Sequence, residues 1–192
     1  MGRPPLAKEK ILAAARQIVE RDGAGALTFD ELARESGITR GGITYHYPTK
    51  EDLLRGLLEA DFLQWDVAEA ALTPSDCDPE TARLLGFIRT LTAQDESHRR
   101  FLCGMLSAAT LDHSLMDPCR KELRERLGRK QWTDRDLRLH LVHLAAEGLM
   151  WQELFQMYSM PGPARAHLVD LMEDLARQWG AGQATGKVAK EA

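Results

Sequence analysis

Apolar residues recur at helical spacing along most of the chain and predict a succession of helices. In the first segment, 7–22, the apolar positions are Ile11, Leu12, Ala15, Ile18 and Val19. Further segments with this period cover 49–72, 78–93, 97–110, 117–129, 133–158 and a last stretch that ends near Trp179. No segment alternates apolar and polar residues as a half-buried strand would. The pattern therefore predicts an all-α fold.

Short polar residues mark where the later helices begin. The predicted caps are Thr49, Asp78, Ser97, Asp117 and Thr133. Two of them are expected to form capping boxes, Thr49 with Asp52 and Thr133 with Asp136, because an acid three residues after the cap can bond back to it.

Two short helices with a tight corner are predicted between Thr28 and Tyr45. The first, 28–36, starts with a capping box of Thr28 and Glu31 and carries its apolar residues on one face. Gly37 supplies the left-handed residue that ends this helix, and Thr39 caps the second. This arrangement is typical of a helix-turn-helix motif.

The second short helix carries two adjacent glycines in its first turn. Gly41 and Gly42 each cost about 0.5 to 1 kcal/mol in a helix, so we expect them to provide space for close approach of a bulky anion such as a phosphate. Arg40 can fork onto a guanine edge. Thr44, Tyr45, His46 and Lys50 supply further donors. The alternative is an ordinary helical corner whose cations are merely solvated.

The segment GITRGGITYHYPTKEDLL, residues 37–54, resembles the end of the DNA-binding domain of TetR-type transcriptional repressors. Residues 8–35 resemble the first two helices of that family, so the resemblance covers roughly the first 55 residues. Thr44 stands where the family commonly has a tyrosine that touches phosphate, whereas Tyr45, His46 and Lys50 match. Tyr47 stands at a core position, and its hydroxyl is expected at the rim. The DNA-binding residues expected are Thr28, Thr39, Arg40, Gly41, Gly42, Thr44, Tyr45, His46 and Lys50.

The resemblance implies a helix-turn-helix domain at 1–48 and a helical ligand-binding and dimerisation domain at 49–179, followed by a flexible tail at 180–192. The two long apolar helices near the C-terminus are expected to pair with those of a second copy in a four-helix bundle. A homodimer of this kind reads an inverted repeat in double-stranded DNA. The alternative is that these helices complete a monomeric core. The helix 49–72 begins beside Lys50 and is expected to act as a lever on the reading helix.

Aromatic residues and methionines are spread over the predicted C-terminal helices and could line an apolar pocket for a small-molecule inducer, or equally fill a core. The candidates for ligand binding are Phe62, Trp65, Phe87, Phe101, Met105, His143, Glu147 and Trp151. His140, His143 and Glu147 share one sector of a helix. They could hydrogen-bond a ligand, pair across the dimer or bind a metal ion.

The net charge of −4 over 192 residues means that any DNA binding must come from a local basic patch. Arg3, Lys8 and Lys10 could lie along a phosphate backbone, but a frayed terminus is the favoured interpretation of this segment. Three widely spaced cysteines favour reduced thiols, and no apolar run could cross a membrane, so a cytoplasmic protein is expected. No catalytic motif or cofactor fingerprint is present, which argues against an enzyme. A non-catalytic helical scaffold without specific DNA binding is the second hypothesis.

Overall fold

The computed structural model describes residues 5–181, and every element in that range is a helix. The helices are α1 Pro5–Asp22, α2 Phe29–Ser36, α3 Arg40–His46, α4 Lys50–Leu72, α5 Pro79–Thr92, α6 Glu96–Ala109, α7 Asp117–Gly128, α8 Asp134–Leu154 and α9 Gly162–Ala181, with short 3-10 turns at Ala24–Ala26 and His113–Met116. The all-α prediction is confirmed. The predicted arm around Arg3 and the predicted tail from residue 182 onward lie outside the described residues.

The helices form two compact units. The first contains the described residues up to Gln64 together with Asp95–Lys121, and the second contains Trp65–Gln94 with the described residues after Lys121. These units are defined by packing. The predicted division into 1–48 and 49–179 concerns function, and it stays a prediction.

The core of the first unit joins the two short helices to α1, α4 and α6. Its fully buried side chains include Ile11, Ile18, Leu32, Ile43, Leu53 and Phe101. Helices α1 and α6 approach each other closely at Gly104, where an added Cβ would lie 2.6 Å from Val19 Cγ1 and 3.3 Å from Val19 O. Because α2 packs against α1 and α3 against α2, the support of both short helices depends on the absence of a side chain at Gly104.

Most helices of the chain start where the capping pattern predicts. The Thr49 hydroxyl accepts from the Asp52 amide at 3.1 Å, and the Asp52 carboxylate accepts from the Thr49 amide at 3.2 Å. The same reciprocal box forms at Thr133 and Asp136. At Asp78, the carboxylate accepts from two amides in the first turn of α5. These local hydrogen bonds fix the helix starts without help from distant residues.

The predicted cap of α6 was wrong. Asp95, and not Ser97, caps this helix, since the Asp95 carboxylate accepts from the His98 amide at 2.8 Å. The Ser97 hydroxyl donates instead to Glu20 Oε2 at 2.8 Å. Asp95 and Ser97 are both suitable caps and stand two positions apart. The Ser97 hydroxyl is engaged with α1, which leaves Asp95 as the cap.

The C-terminal end of α8 also differs from the sequence prediction. The helix ends at Leu154, whereas the apolar pattern predicts that it continues to about Tyr158. Gln156 adopts a left-handed φ of 50°, and the Met157 amide donates to Gln152 O at 3.0 Å. This is a Schellman ending formed without glycine, so the composition gives no warning of it.

The core of the second unit lies between α5, α8 and α9. Leu85, Ile88, Ala146 and Ala176 are fully buried in it. Gly180 belongs to α9, so the predicted end of this helix at Trp179 was two residues too early. Arg135 holds the last turn, because its guanidinium donates to Gly180 O at 3.0 Å, to Glu80 at 2.5 Å and to Asp78 at 2.6 Å.

Candidate nucleic-acid interface

The corner between α2 and α3 has the geometry of a helix-turn-helix. Gly37 takes a left-handed φ of 68°, and its amide donates to Ala33 O at 3.1 Å. Thr39 then caps α3, since its hydroxyl accepts from the Gly42 amide at 3.2 Å. The Thr28 hydroxyl accepts from the Glu31 amide, but the Glu31 carboxylate accepts from arginine side chains instead of completing the predicted box.

Helix α3 has one buried face and one exposed face. Ile43 and the ring of Tyr47, just after the helix, are buried in the core of the first unit. On the opposite side Thr39, Arg40 and Gly41 are exposed to solvent. The Tyr45 side chain is 83% exposed, and its ring meets the edge of the His46 ring at 5.1 Å. The exposed face therefore presents polar side chains and an aromatic ring to solvent.

The two glycines of α3 differ in their surroundings. An added Cβ at Gly41 would meet no atom within 4 Å, as expected for a position that leaves the surface bare. An added Cβ at Gly42 would lie 3.0 Å from Ile38 Cγ2 and 3.4 Å from Thr39 Oγ1. The space beside Gly41 is thus open, whereas Ile38 and Thr39 of the corner lie close to Gly42, and the close approach of an anion at either glycine stays a prediction.

The two candidate cations of this surface are both held by the protein. Arg40 Nη1 donates to Asp30 Oδ1 at 2.8 Å, which joins the start of α3 to the first turn of α2. Lys50 is the first residue of α4, and its Nζ atom donates to Gly25 O at 3.3 Å. Sequence reasoning missed both contacts, since their partners stand ten and 25 residues away.

Thr44 and His46 are half-buried beside the exposed face. The Thr44 hydroxyl donates to Arg40 O at 3.0 Å, within its own helix. Its oxygen can still accept a hydrogen bond, but the hydroxyl can donate to another group only by giving up this bond. The Thr44 hydroxyl is therefore already committed to hydrogen bonds within α3.

The hydroxyl of Tyr47 is buried, so the prediction that it lies at the rim was wrong. The hydroxyl oxygen has no hydrogen-bond partner among the described residues. Burial of the hydroxyl, together with the negative charge of Glu59, raises the pKa of Tyr47 to about 12. The ring fits because Gly56 of α4 has no side chain, and a Cβ there would lie 2.6 Å from Tyr47 Cε1. Nothing in the local sequence around Gly56 indicates this pairing.

The residues predicted to bind a ligand are divided between the two units. Phe62, Phe101 and Met105 belong to the first, where Phe101 and Met105 are buried in the core. Trp65, Phe87, His143, Glu147 and Trp151 belong to the second. Of these, Trp151 is exposed and stacks on Phe155 at 5.8 Å.

A row of aromatic rings and imidazoles runs through the second unit. The Phe87 ring lies 5.8 Å from Trp65 and 4.2 Å from the buried His143, which in turn stacks on His140 at 6.1 Å. Burial and the neighbouring His143 lower the pKa of His140. The structure thus brings together Trp65, Phe87, His143 and Glu147 of the predicted set, and adds Arg126 to them.

The His143 Nε2 atom has two polar neighbours. Arg126 Nη2 lies at 2.9 Å and Glu147 Oε1 at 3.3 Å. Nε2 accepts from Arg126 when it carries no hydrogen and donates to Glu147 when it does, so the two contacts belong to different tautomers or protonation states of His143. The contact with His143 lowers the pKa of Glu147. The described residues contain no group of three His, Cys, Asp or Glu side chains placed to hold a metal ion.

One face of α8 is apolar and exposed. Leu137, Leu141, Leu144, Trp151 and Phe155, the last just beyond the helix, share this face, and Leu171 of α9 is exposed as well. An exposed apolar surface of this kind is typical of a site that contacts another protein. Within residues 5–181 no helix combines the length and apolar content that a bilayer crossing needs.

Comparisons with known proteins agree with this geometry. A family model described as bacterial regulatory proteins of the tetR family matches residues 11–57, and one described as a tetracyclin repressor-like C-terminal domain matches residues 81–177. The HTH-type transcriptional regulator QacR of Staphylococcus aureus is 33% identical over 58 residues, which are 30% of this chain and 31% of QacR. The match therefore spans less than a third of that relative.

Solved structures resemble nearly the whole chain. A transcriptional regulator from Rhodococcus sp. Rha1 superposes with a TM-score of 0.69 at 19% identity, over 89% of this chain and 96% of its own. The multidrug binding protein EbrR, complexed with ethidium, gives a TM-score of 0.61 at 19% identity, over 90% of this chain and 99% of its own. At these identities the likeness shows the fold.

Proposed function

We propose that this chain, which belongs to the TetR family of bacterial regulatory proteins, is a transcriptional repressor that inserts α3 into the major groove of its operator. The observation that carries the proposal is the division of α3 into a buried face, with Ile43, and an exposed face, with Arg40, Gly41 and Tyr45. A helix with this division sits firmly on its own domain while its outer face reads a base edge. A protein that acts on chromosomal DNA in this way works in the cytoplasm.

Each exposed group of α3 has a distinct part in this proposal. Arg40 offers a planar fork that matches the O6 and N7 atoms of guanine. Gly41 leaves the backbone of the first turn bare, so that a phosphate or base edge can approach it. Tyr45 and Lys50 contact the phosphate backbone, which supplies affinity that does not depend on sequence.

We further propose that the protein is a homodimer. The exposed apolar face of α8 is expected to pack against the same face of a second copy, with α9 contributing Leu171. Two-fold symmetry places the two α3 helices on half-sites about one helical turn apart, so the operator is an inverted repeat.

The roles of Arg40 and Lys50 can be separated by mutation. Arg40→Ala is expected to weaken binding to the operator by about 1 to 3 kcal/mol and to leave binding to random duplex unchanged, because base contacts carry sequence information. Lys50→Ala is expected to weaken both duplexes alike and to reduce the salt slope by about 1, because a phosphate contact releases counterions. Fluorescence anisotropy at several salt concentrations, on the chain's own upstream DNA, measures both effects.

Two results would contradict this assignment. Equal losses on operator and random DNA for Arg40→Ala would remove Arg40 as a base reader. Weak, salt-sensitive binding of the wild type to every duplex, without a preferred site, would favour the second hypothesis, a helical scaffold that does not regulate a specific promoter.

The second unit is the part of the chain that we propose binds a small-molecule inducer. The ring row of Trp65, Phe87 and His143 offers flat apolar surface, and Glu147 beside it offers a polar contact. Phe101 and Met105 are part of the first core, so we assign them to packing. EbrR has been solved in complex with ethidium, and we expect a flat aromatic molecule to be the ligand here as well. Inducer and DNA must weaken each other by the same factor.

Native mass spectrometry of the purified protein, followed by a thermal-shift screen of aromatic compounds, tests the inducer proposal. We expect Glu147→Gln to weaken the affinity of the compound found by about tenfold, because the variant loses a hydrogen bond of a charged group. Arg40→Ala is the control and should bind the compound normally while it fails on the operator. An unchanged melting temperature across a broad panel, with no bound mass, would reject the inducer and leave DNA binding intact.

A further inference from the structure

The acids of α2 divide between two neighbours. Glu31 and Glu35 pair with Arg21 of α1, and Glu31 also with Arg34 of its own helix. Asp30 points the other way and pairs with Arg40 at the start of α3. Within residues 5–181, this is the ion pair that Arg40 makes.

The Asp30–Arg40 pair contributes little to folding. The two side chains are 78% and 63% exposed, and an ion pair in contact with that much water barely changes the free energy of unfolding. The pair also places a carboxylate on the surface that faces DNA, where it repels phosphates. Asp30 thus neither stabilises the fold nor attracts the DNA backbone, so its presence on this surface needs another explanation.

The geometry supplies that explanation. One of the five N–H donors of Arg40 is bound to Asp30, and this contact restricts the directions that the guanidinium can take. The other donors of the guanidinium can then meet the two acceptors of guanine after a smaller search among rotamers. Exclusion of water at a DNA surface lowers the local dielectric and strengthens the pair at the moment of binding.

We propose that Asp30 is a specificity-determining residue: it positions the Arg40 guanidinium for a guanine edge and competes with phosphates for it. This inference rests on the proposed DNA-binding function. It adds that discrimination between the operator and other DNA depends on an acid outside α3. Removal of this acid should raise the affinity for DNA of any sequence and reduce the preference for the operator.

The test compares Asp30→Ala, Arg40→Ala and the double variant on three duplexes. These are the operator, the operator with the base pair read by Arg40 exchanged, and a random duplex. Asp30→Ala is expected to reduce the discrimination between the first two by about tenfold and to increase affinity for random DNA. In the Arg40→Ala background, Asp30→Ala should change the discrimination no further, because the positioned group is gone.

Glu35→Ala is the matched control, since it removes the same charge from the same helix but its carboxylate pairs with Arg21. It should leave the discrimination unchanged, and all variants should keep the wild-type melting temperature. Undiminished discrimination in Asp30→Ala would overturn the inference. Additive losses in the double variant would overturn it too, because they would mean that Asp30 reads a base by itself. A wild type without any preferred duplex would instead reject the repressor function itself, and the inference with it.

Discussion

Gly104→Leu is expected to lower the free energy of unfolding by about 3 kcal/mol, because the new side chain must push α1 away from α6. The nearest atoms are a methyl group of the buried Val19 and its carbonyl oxygen, and the Ala24 amide nitrogen lies 3.5 Å from the added Cβ. Backbone atoms cannot rotate aside as a flexible side chain can. Thermal unfolding followed by circular dichroism should show a midpoint lower by roughly 10 °C.

Gly41→Leu is the control for this prediction. The same substitution in the same unit meets no atom within 4 Å at its Cβ, so stability should stay constant or rise by up to about 1 kcal/mol through helix propensity. A Gly104 variant that melts together with the wild type would show that α1 and α6 can separate without cost, and the close approach described above would then have no structural importance.

Leu141→Glu is expected to convert the dimer into monomers and to weaken operator binding by about a hundredfold or more. Leu141 lies on the exposed face of α8, with 59% of its surface in contact with solvent. In the proposed dimer, a carboxylate there faces its own copy across an apolar contact, and both charges lose their hydration. A monomer meets one half-site at a time and loses the gain of linked binding. Sedimentation velocity and anisotropy measure the two effects.

Leu123→Glu provides the matched control, because Leu123 is an exposed leucine of α7 with 43% of its surface in solvent. It should remain dimeric and bind the operator normally. A monomeric wild type, or a Leu141 variant that remains dimeric, would contradict the proposed interface and favour the alternative in which α8 and α9 complete the core of a monomer.

Sequence predicted the helix starts well because the information for them is local. A cap and its amide partner stand two or three residues apart, and the residues between them are already turning into the helix. The caps at Thr39, Asp78 and Thr133 therefore appear in the structure as expected. The ends of helices are harder to predict from the sequence. Gln156 ends α8 in the left-handed conformation that glycine usually adopts at this position.

The contacts that sequence missed all join separate elements. The fit of Tyr47 against Gly56 depends on how α4 crosses the end of α3, and the contact of Arg126 with His143 depends on how α7 meets α8. Neither distance follows from residue spacing. For the same reason the predicted ligand residues could not be sorted into core and site, because aromatic side chains on helices serve both purposes equally.

The neighbouring glycines of α3 have a consequence for engineering. The space beside Gly41 is empty, and the space beside Gly42 is occupied by Ile38 and Thr39 of the corner. Substitutions at residue 41 should therefore leave the fold intact while they alter the surface proposed to meet DNA, whereas any side chain at residue 42 requires Ile38 to shift slightly. A combinatorial search for altered specificity should vary the first glycine and leave the second untouched.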